Sequence, residues 1–175
     1  MDAGQFVHLH CHSHYSLLDG ATRIQEMVAR AKAHGQPAIA ITDHGNMFGA
    51  VEFYSAAKKA GVKPLLGCEL YLAGTSRFVK EATPGREGKE SFHLLVLAQN
   101  LTGYRNLMRL CTLGYTEGFY RKPRIDKELL RELSDGLLCT STCIGGEVPQ
   151  AFLGRDRAAA DERSKTCLSI FVPDR

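Results

Sequence analysis

This sequence predicts an α/β fold with mostly parallel strands, on three observations. Short apolar runs of strand length alternate with tracts of helical period, turn formers separate them, and residues of metal-ligand type gather where successive strands end. The first expected strand is FVHLH from Phe6. The tract TRIQEMVARAKAHG then sets Ile24, Met27, Val28 and Ala31 at helical spacing, with Thr22 to cap the helix and Gly35 to end it. PAIAIT from Pro37 reads as a buried strand, followed by a helix carrying Val51, Tyr54 and Ala57 and closed by Gly61. VKPLLGCELYLA from Val62 is the third strand, residues 74–90 are a polar loop, and SFHLLVLA from Ser91 is the fourth strand. A helix follows from about Thr102, a shorter one is expected at DKELLREL from Asp126, and GLLCTS from Gly136 makes a fifth strand before the loop TCIGGEVPQ.

Bulk properties narrow the class without naming a function. A chain of 175 residues suits one domain, which at that size buries roughly 70% of its unfolded surface. Its 44% hydrophobic and 23% charged content is ordinary for a globular protein and favours neither disorder nor a fibrous architecture. A net charge of +3 with a pI near 8.5 permits phosphate contact but falls short of the basic stripe of a dedicated nucleic-acid binder. Six scattered cysteines with no CxxC pair and no secretory signal point to a reducing cytoplasm. The longest apolar runs are strand-sized, so no membrane span is expected.

The polar residues at the strand ends carry the chemistry. In a parallel α/β fold, ligands collect at the C-terminal ends of the strands, because the loops there surround one crevice. His10 and His12 end the first strand, and their i, i+2 spacing sends both side chains to one face. Asp19 follows in SLLDG, Asp43 and His44 end the second strand, Glu69 lies late in the third, His93 on the fourth, and Cys143 just past the fifth. Taken singly, such residues have plainer readings: Glu69 as a buried acid paired with a base, Cys143 as an inert core thiol. His8, His14 and His34 keep that plainer reading, His34 because a cation in the last helical turn suits the helix dipole. Convergence of the others on one face points instead to a metal site. Imidazole, carboxylate and one thiolate suit zinc, manganese or iron rather than calcium, and two or more such ions suit phosphoester hydrolysis. No phosphate-binding GxxxxGK loop, GxGxxG fingerprint or GxSxG elbow occurs. Arg121, Lys122 and Arg124 flank Phe119 and Tyr120 and are candidates for contact with a DNA backbone, with a solvated loop as the competing reading.

Together, HLHCHSHYSLLDG, ITDHGNMFGAVEFY, LLGCELY and the FHL at Phe92 resemble the PHP (polymerase and histidinol phosphatase) family over nearly the whole chain. The tracts NLTGYRNLMRL, EGFYRKPRID and STCIGGEVPQ are similar, more narrowly, to the amino-terminal PHP domains of bacterial replicative DNA polymerase III alpha subunits. The resemblance implies a distorted (β/α)7 barrel with two to three divalent metals at the strand ends. Carried over by position, His10 and His12 would serve a first metal, Glu69 would bridge, His93 and Cys143 would serve a second, and Asp19 and His44 a third. It also implies a parent protein that extends DNA, with DNA, further polymerase domains and replisome subunits as partners. The polymerase catalytic carboxylates lie in none of these residues, which leaves local phosphoesterase chemistry (a 3′ to 5′ exonuclease or a pyrophosphatase). A stand-alone phosphatase of small molecules and a metal-stabilised structural domain are the alternatives. The family's final Asp-x-His motif has no counterpart before Arg175, so residues 1–175 are expected to form an incomplete barrel, with CLSIFVPDR opening a further strand region.

Overall fold

A computed structural model describes residues 6–81 and 91–172. In chain order the elements are α1 (Ile24–Ala33), β1 (Ala38–Ile41), α2 (Ala50–Ala60), β2 (Lys63–Ala73), β3 (Ser91–Ala98), α3 (Leu101–Thr116), β4 (Arg124–Ile125), α4 (Lys127–Leu133), β5 (Leu137–Thr140), α5 (Glu147–Leu153) and α6 (Arg157–Phe171). The α/β class is as expected. The strands form one sheet in the order β1-β2-β3-β5, with β4 also paired to β2. β2 runs parallel to β1 and β4, whereas β3 is antiparallel to both β2 and β5. Four of the five strands therefore share a direction, and β3 alone is reversed. No helix among the described residues is long and apolar enough to cross a membrane.

β2 separates the core from the polar face by its two-residue period. Cys68, Leu70 and Leu72 point into a hydrophobic cluster with Phe92, Leu94 and Val96 of β3, Leu107 and Leu110 of α3, and Leu129, Leu130 and Leu133 of α4. Glu69 and Tyr71 then face the other way, as does His93, which lies opposite Tyr71 in the register. A second cluster joins Ile24, Met27, Val28 and Ala31 of α1 to Ile39, Ile41 and Phe53. On α2 the buried residues are Ala50, Phe53 and Ala57; the expected Val51 and Tyr54 face outward, because Phe53 is the larger apolar group on the stripe it shares with Ala57.

Several local expectations are corrected. The segment from Phe6 is extended but forms no ladder. Its His8 carbonyl accepts from Ala40 N and its Cys11 carbonyl from Thr42 N, so three steps on the segment answer two on β1, as in a bulge. Thr22 does not cap α1; Arg23 holds the cap position without a side-chain bond, and the Thr22 carbonyl accepts from His14 N. Within TCIGGEVPQ the chain begins α5, with Pro149 in the first turn, where a missing N–H costs nothing. Residues 167–171 of CLSIFVPDR continue α6 rather than opening a strand, since Asp156 caps the helix through Ala159 N and the tract RAAADERSK favours helix; residues 173–175 lie outside the described residues, as do residues 82–90 of the expected loop. β4, two residues long, is too short to leave a periodic signal.

One polar cluster fastens the loop after β2 to β4 and α4. Asp126 caps α4 by accepting from Leu129 N at 3.1 Å, and it also accepts from Arg77 N at 3.0 Å and from Arg77 Nη1 at 3.1 Å. Arg77 Nε donates to Glu117 at 2.6 Å. Burial raises the Asp126 pKa, but the bonds from Arg77 and Leu129 outweigh it and hold the carboxyl below its ordinary value. Asp126→Ala removes the cap and one partner of a buried ion pair, with an expected loss of about 3 kcal/mol in a urea titration. Because the folded-state pKa is depressed, this contribution is complete above about pH 4 and disappears as the pH falls through the folded value. The stabilities of the intact chain and the variant should therefore converge in acid.

Candidate metal centre

Four segments bring six side chains round one buried carboxylate. Glu69 is fully buried. Its Oε2 lies 2.7 Å from His10 Nε2, 3.0 Å from His12 Nε2 and 3.4 Å from His44 Nε2. Its Oε1 lies 2.7 Å from His93 Nδ1 and accepts from Cys143 Sγ at 3.4 Å. Asp19 Oδ2, from the turn after the first segment, sits 2.8 Å from His44 Nε2. The structure thus brings together His10, His12, Asp19, His44, Glu69, His93 and Cys143, whereas Asp43, which ends the same strand as His44, turns its carboxylate to Ser13 instead. His93 joins through the reversal of β3: it stands near the start of its strand, and the antiparallel pairing lays that start beside the end of β2.

The backbone beneath the histidines is clamped to the end of β1. Thr42 Oγ1 accepts from Cys11 N at 2.9 Å and donates to the Cys11 carbonyl at 3.1 Å, between the two histidines of the first segment. The buried Asp43 carboxylate accepts from Ser13 N at 2.5 Å and Ser13 Oγ at 2.8 Å. Ser16 Oγ accepts from His44 N at 2.9 Å. The Asp43 carbonyl takes the Glu69 N–H, and the Glu69 carbonyl takes the N–H of Gly45. Asp43 therefore ties the first segment, His44 and Glu69 into one unit. Ser13, Ser16 and Thr42 were not singled out from the sequence, because a lone hydroxyl leaves no periodic trace. Tyr71 also went unmarked, although its shared parity with Glu69 in LLGCELY signals that it faces the site. Its ring stacks on His44 with centroids 5.6 Å apart.

Electrostatics fit a cation at this face. Burial alone would raise the Glu69 pKa, but hydrogen bonds from His12, His93 and His10 hold it far below the usual carboxylate range. The bond to Glu69 raises the pKa of His12, whereas burial lowers that of His44. These two rings stack with centroids 4.4 Å apart, an arrangement that disfavours charge on both. Burial pushes the Cys143 thiol up, with Glu69 adding to the effect. The Nδ1 atoms of His12 and His44 are buried without a hydrogen-bond partner. Three overlapping sets, His10–His12–Glu69, His12–Asp19–His44 and His44–Glu69–His93, each place their ligand atoms within 4.8 Å of one another. Small side-chain adjustments would gather such a set round an ion with bonds of about 2.1 Å, so the cluster is compatible with metal binding.

The other marked residues divide. His8 and His34 are exposed and His14 is half-buried, and none belongs to the three sets. Arg124 is corrected as a DNA-contact candidate: it is buried, donating from Nε to the Gly118 carbonyl at 3.2 Å and from Nη2 to the Val79 carbonyl at 2.7 Å. Its guanidinium serves the loop carbonyls because the loop after β2 folds over it. Arg121 and Lys122 are exposed. Asp43→Asn weakens the clamp without changing any of the seven gathered side chains, and the expected result is a loss of metal affinity of about tenfold, read by competition with a chromophoric chelator.

Comparison with known proteins follows the same lines. The family model described as PHP domain matches residues 8–175. A DNA polymerase III subunit alpha from Borreliella burgdorferi is 53% identical over 149 residues, covering 85% of this chain and 13% of that protein. Those from Treponema pallidum and Thermus aquaticus are 48% and 49% identical over 169 residues, covering 97% and 95% of this chain and 14% of each relative. The chain thus spans about one seventh of the length of the relatives it matches. A solved amidohydrolase from Chromobacterium violaceum is 25% identical over 61% of this chain and 32% of its own, with a TM-score of 0.44. The family rests on the sequence matches: the chain belongs to the PHP domain family.

Proposed function

We propose that this chain is a metal-dependent phosphoesterase domain of a DNA polymerase III alpha subunit, acting on the phosphodiester at a DNA 3′ end. The observation that carries this reading is the Glu69 carboxylate, fully buried and met by four imidazoles and a thiol. A carboxylate out of water is costly unless cations answer it, and a site with so many nitrogen donors has lone pairs to spare for them. His10, His12, Asp19, His44, Glu69, His93 and Cys143 would hold two to three ions, with zinc or manganese suited best to the mixed donors and iron accepted by the same set. Bound there, the ions supply positive charge to phosphoryl oxygens and acidify water. The chain's own groups do the rest. Glu69 holds the histidines in one orientation, and Thr42 and Asp43 fix the backbone that bears them. Asp19, half exposed at the mouth, holds His44 from the solvent side.

The same reading assigns DNA extension, and contacts with further polymerase domains and replisome subunits, to residues beyond those described. A stand-alone phosphatase of small molecules is disfavoured by the length of the match to alpha subunits, 169 residues at close to half identity.

Two measurements test the reading. Plasma mass spectrometry on the purified chain should find bound zinc or manganese, and a 3′-labelled DNA primer should release nucleotide only when metal is present. Glu69→Gln keeps the shape and removes the charge, so it should lose both the metal and at least about 100-fold in turnover. A metal-free, inert chain, or a Glu69→Gln chain as active as the original, overturns the proposal.

A further inference from the structure

Residues 118–124 form a turn built onto the edge of the metal face. Arg124 fastens it from beneath, through its bonds to the Gly118 and Val79 carbonyls and by lying 5.1 Å from the Tyr120 ring. The turn closes tightly, Tyr120 N donating to the Lys122 carbonyl at 3.1 Å, with Arg121 at φ 59°. Gly45, next to His44, lets it come close: at φ +63° a Cβ there would stand 2.8 Å from Pro123 Cγ and 3.1 Å from Tyr71 Cε2. The outcome is the position of Lys122. Its Nζ lies 4.5 Å from the centre of the Tyr71 ring, within cation–π range. Tyr71 in turn lies nearly parallel to His44, at 12°, and meets His93 edge-on at 5.5 Å.

We propose that Lys122 binds a backbone phosphate of a nucleic-acid strand, the one flanking the phosphoester held at the metal face. This rests on the phosphoesterase reading above. Lys122 is exposed, so its ammonium meets solvent and ligand alike. Its Nζ and the His44 ring centre lie 4.5 Å and 5.6 Å from the centre of the Tyr71 ring, which puts the ammonium beside the metal face, where a strand held there would pass. The Tyr71 ring restrains a flexible stem whose ordering otherwise costs free energy. Arg121 is directed elsewhere, its guanidinium 5.5 Å from the Tyr120 ring.

The test is the salt dependence of binding. A fluorescent single-stranded phosphorothioate oligonucleotide, resistant to cleavage, is titrated with the chain by anisotropy across a series of KCl concentrations. Removing one phosphate contact from a single strand lowers the slope of log K against log[KCl] by about 0.7, and Lys122→Gln should show this drop while Lys122→Arg keeps the original slope. Metal content measured on the same samples should be equal, since no marked ligand is touched. Should Lys122→Gln fail to fold, Lys122→Met keeps an apolar stem on the Tyr71 ring and gives the same reading. An unchanged slope in the variant, or no salt-dependent binding by the original chain, overturns the assignment. A chain that binds with the Lys122-dependent slope yet never cleaves an unmodified primer overturns the phosphoesterase reading and leaves the phosphate contact standing.

Discussion

A carboxylate shut away from water is the constraint round which this molecule is organised. Glu69 sits at zero exposure in the middle of β2, where one face of the strand must feed a hydrophobic cluster and the other cannot. The cost of desolvating that charge is met only by groups that donate to it, and they come from four separate segments. Each donor is therefore a tertiary contact as well as a candidate ligand.

Two features of the sheet make this possible. The two-residue period of β2 and β3 sends Cys68, Leu70, Leu72, Phe92, Leu94 and Val96 to one side and Glu69, Tyr71 and His93 to the other. The reversal of β3 then turns a histidine near the start of a strand into a neighbour of residues at the end of another. A uniformly parallel arrangement would carry His93 to the opposite end of the sheet. Glycine supplies the remaining closeness, since the left-handed backbone at Gly45 admits both Pro123 and Tyr71 against the turn that follows His44.

Around the candidate metal face lies a supporting frame with its own polar logic. Arg77 and Arg124 are spent on Asp126, Glu117 and loop carbonyls, so the buried guanidinium groups hold loops in place instead of facing a ligand. Lys122, by contrast, is exposed and lies over the Tyr71 ring beside the cluster. Membership of the PHP domain family agrees with a histidine-rich face that is compatible with metal binding.

Much of this was legible in the sequence, for definite reasons. Strand-length apolar runs and helical spacing gave β1, β2, β3, β5, the helices α1 to α4 and the buried face of α1, because burial imposes a period on every such element. The ligand-type residues were legible because they stand at segment ends with few plain reasons to be there, and the motifs around them resemble one family. Other features were not. Thr42, Ser13, Ser16 and Asp43 clamp the backbone through single hydrogen bonds, which carry no period. The α6 helix was hidden behind an apolar tail whose length suits a strand as well. The fate of Arg124 depended on which carbonyls the loop after β2 would bring over it. By itself, then, the sequence determined the fold class and which residues of metal-ligand type stand together on one face, since those follow from local pattern. The tertiary structure alone decided the reversal of β3, the burial of Glu69 and the separation of Lys122 from Arg124, because each depends on contacts between residues far apart in the chain.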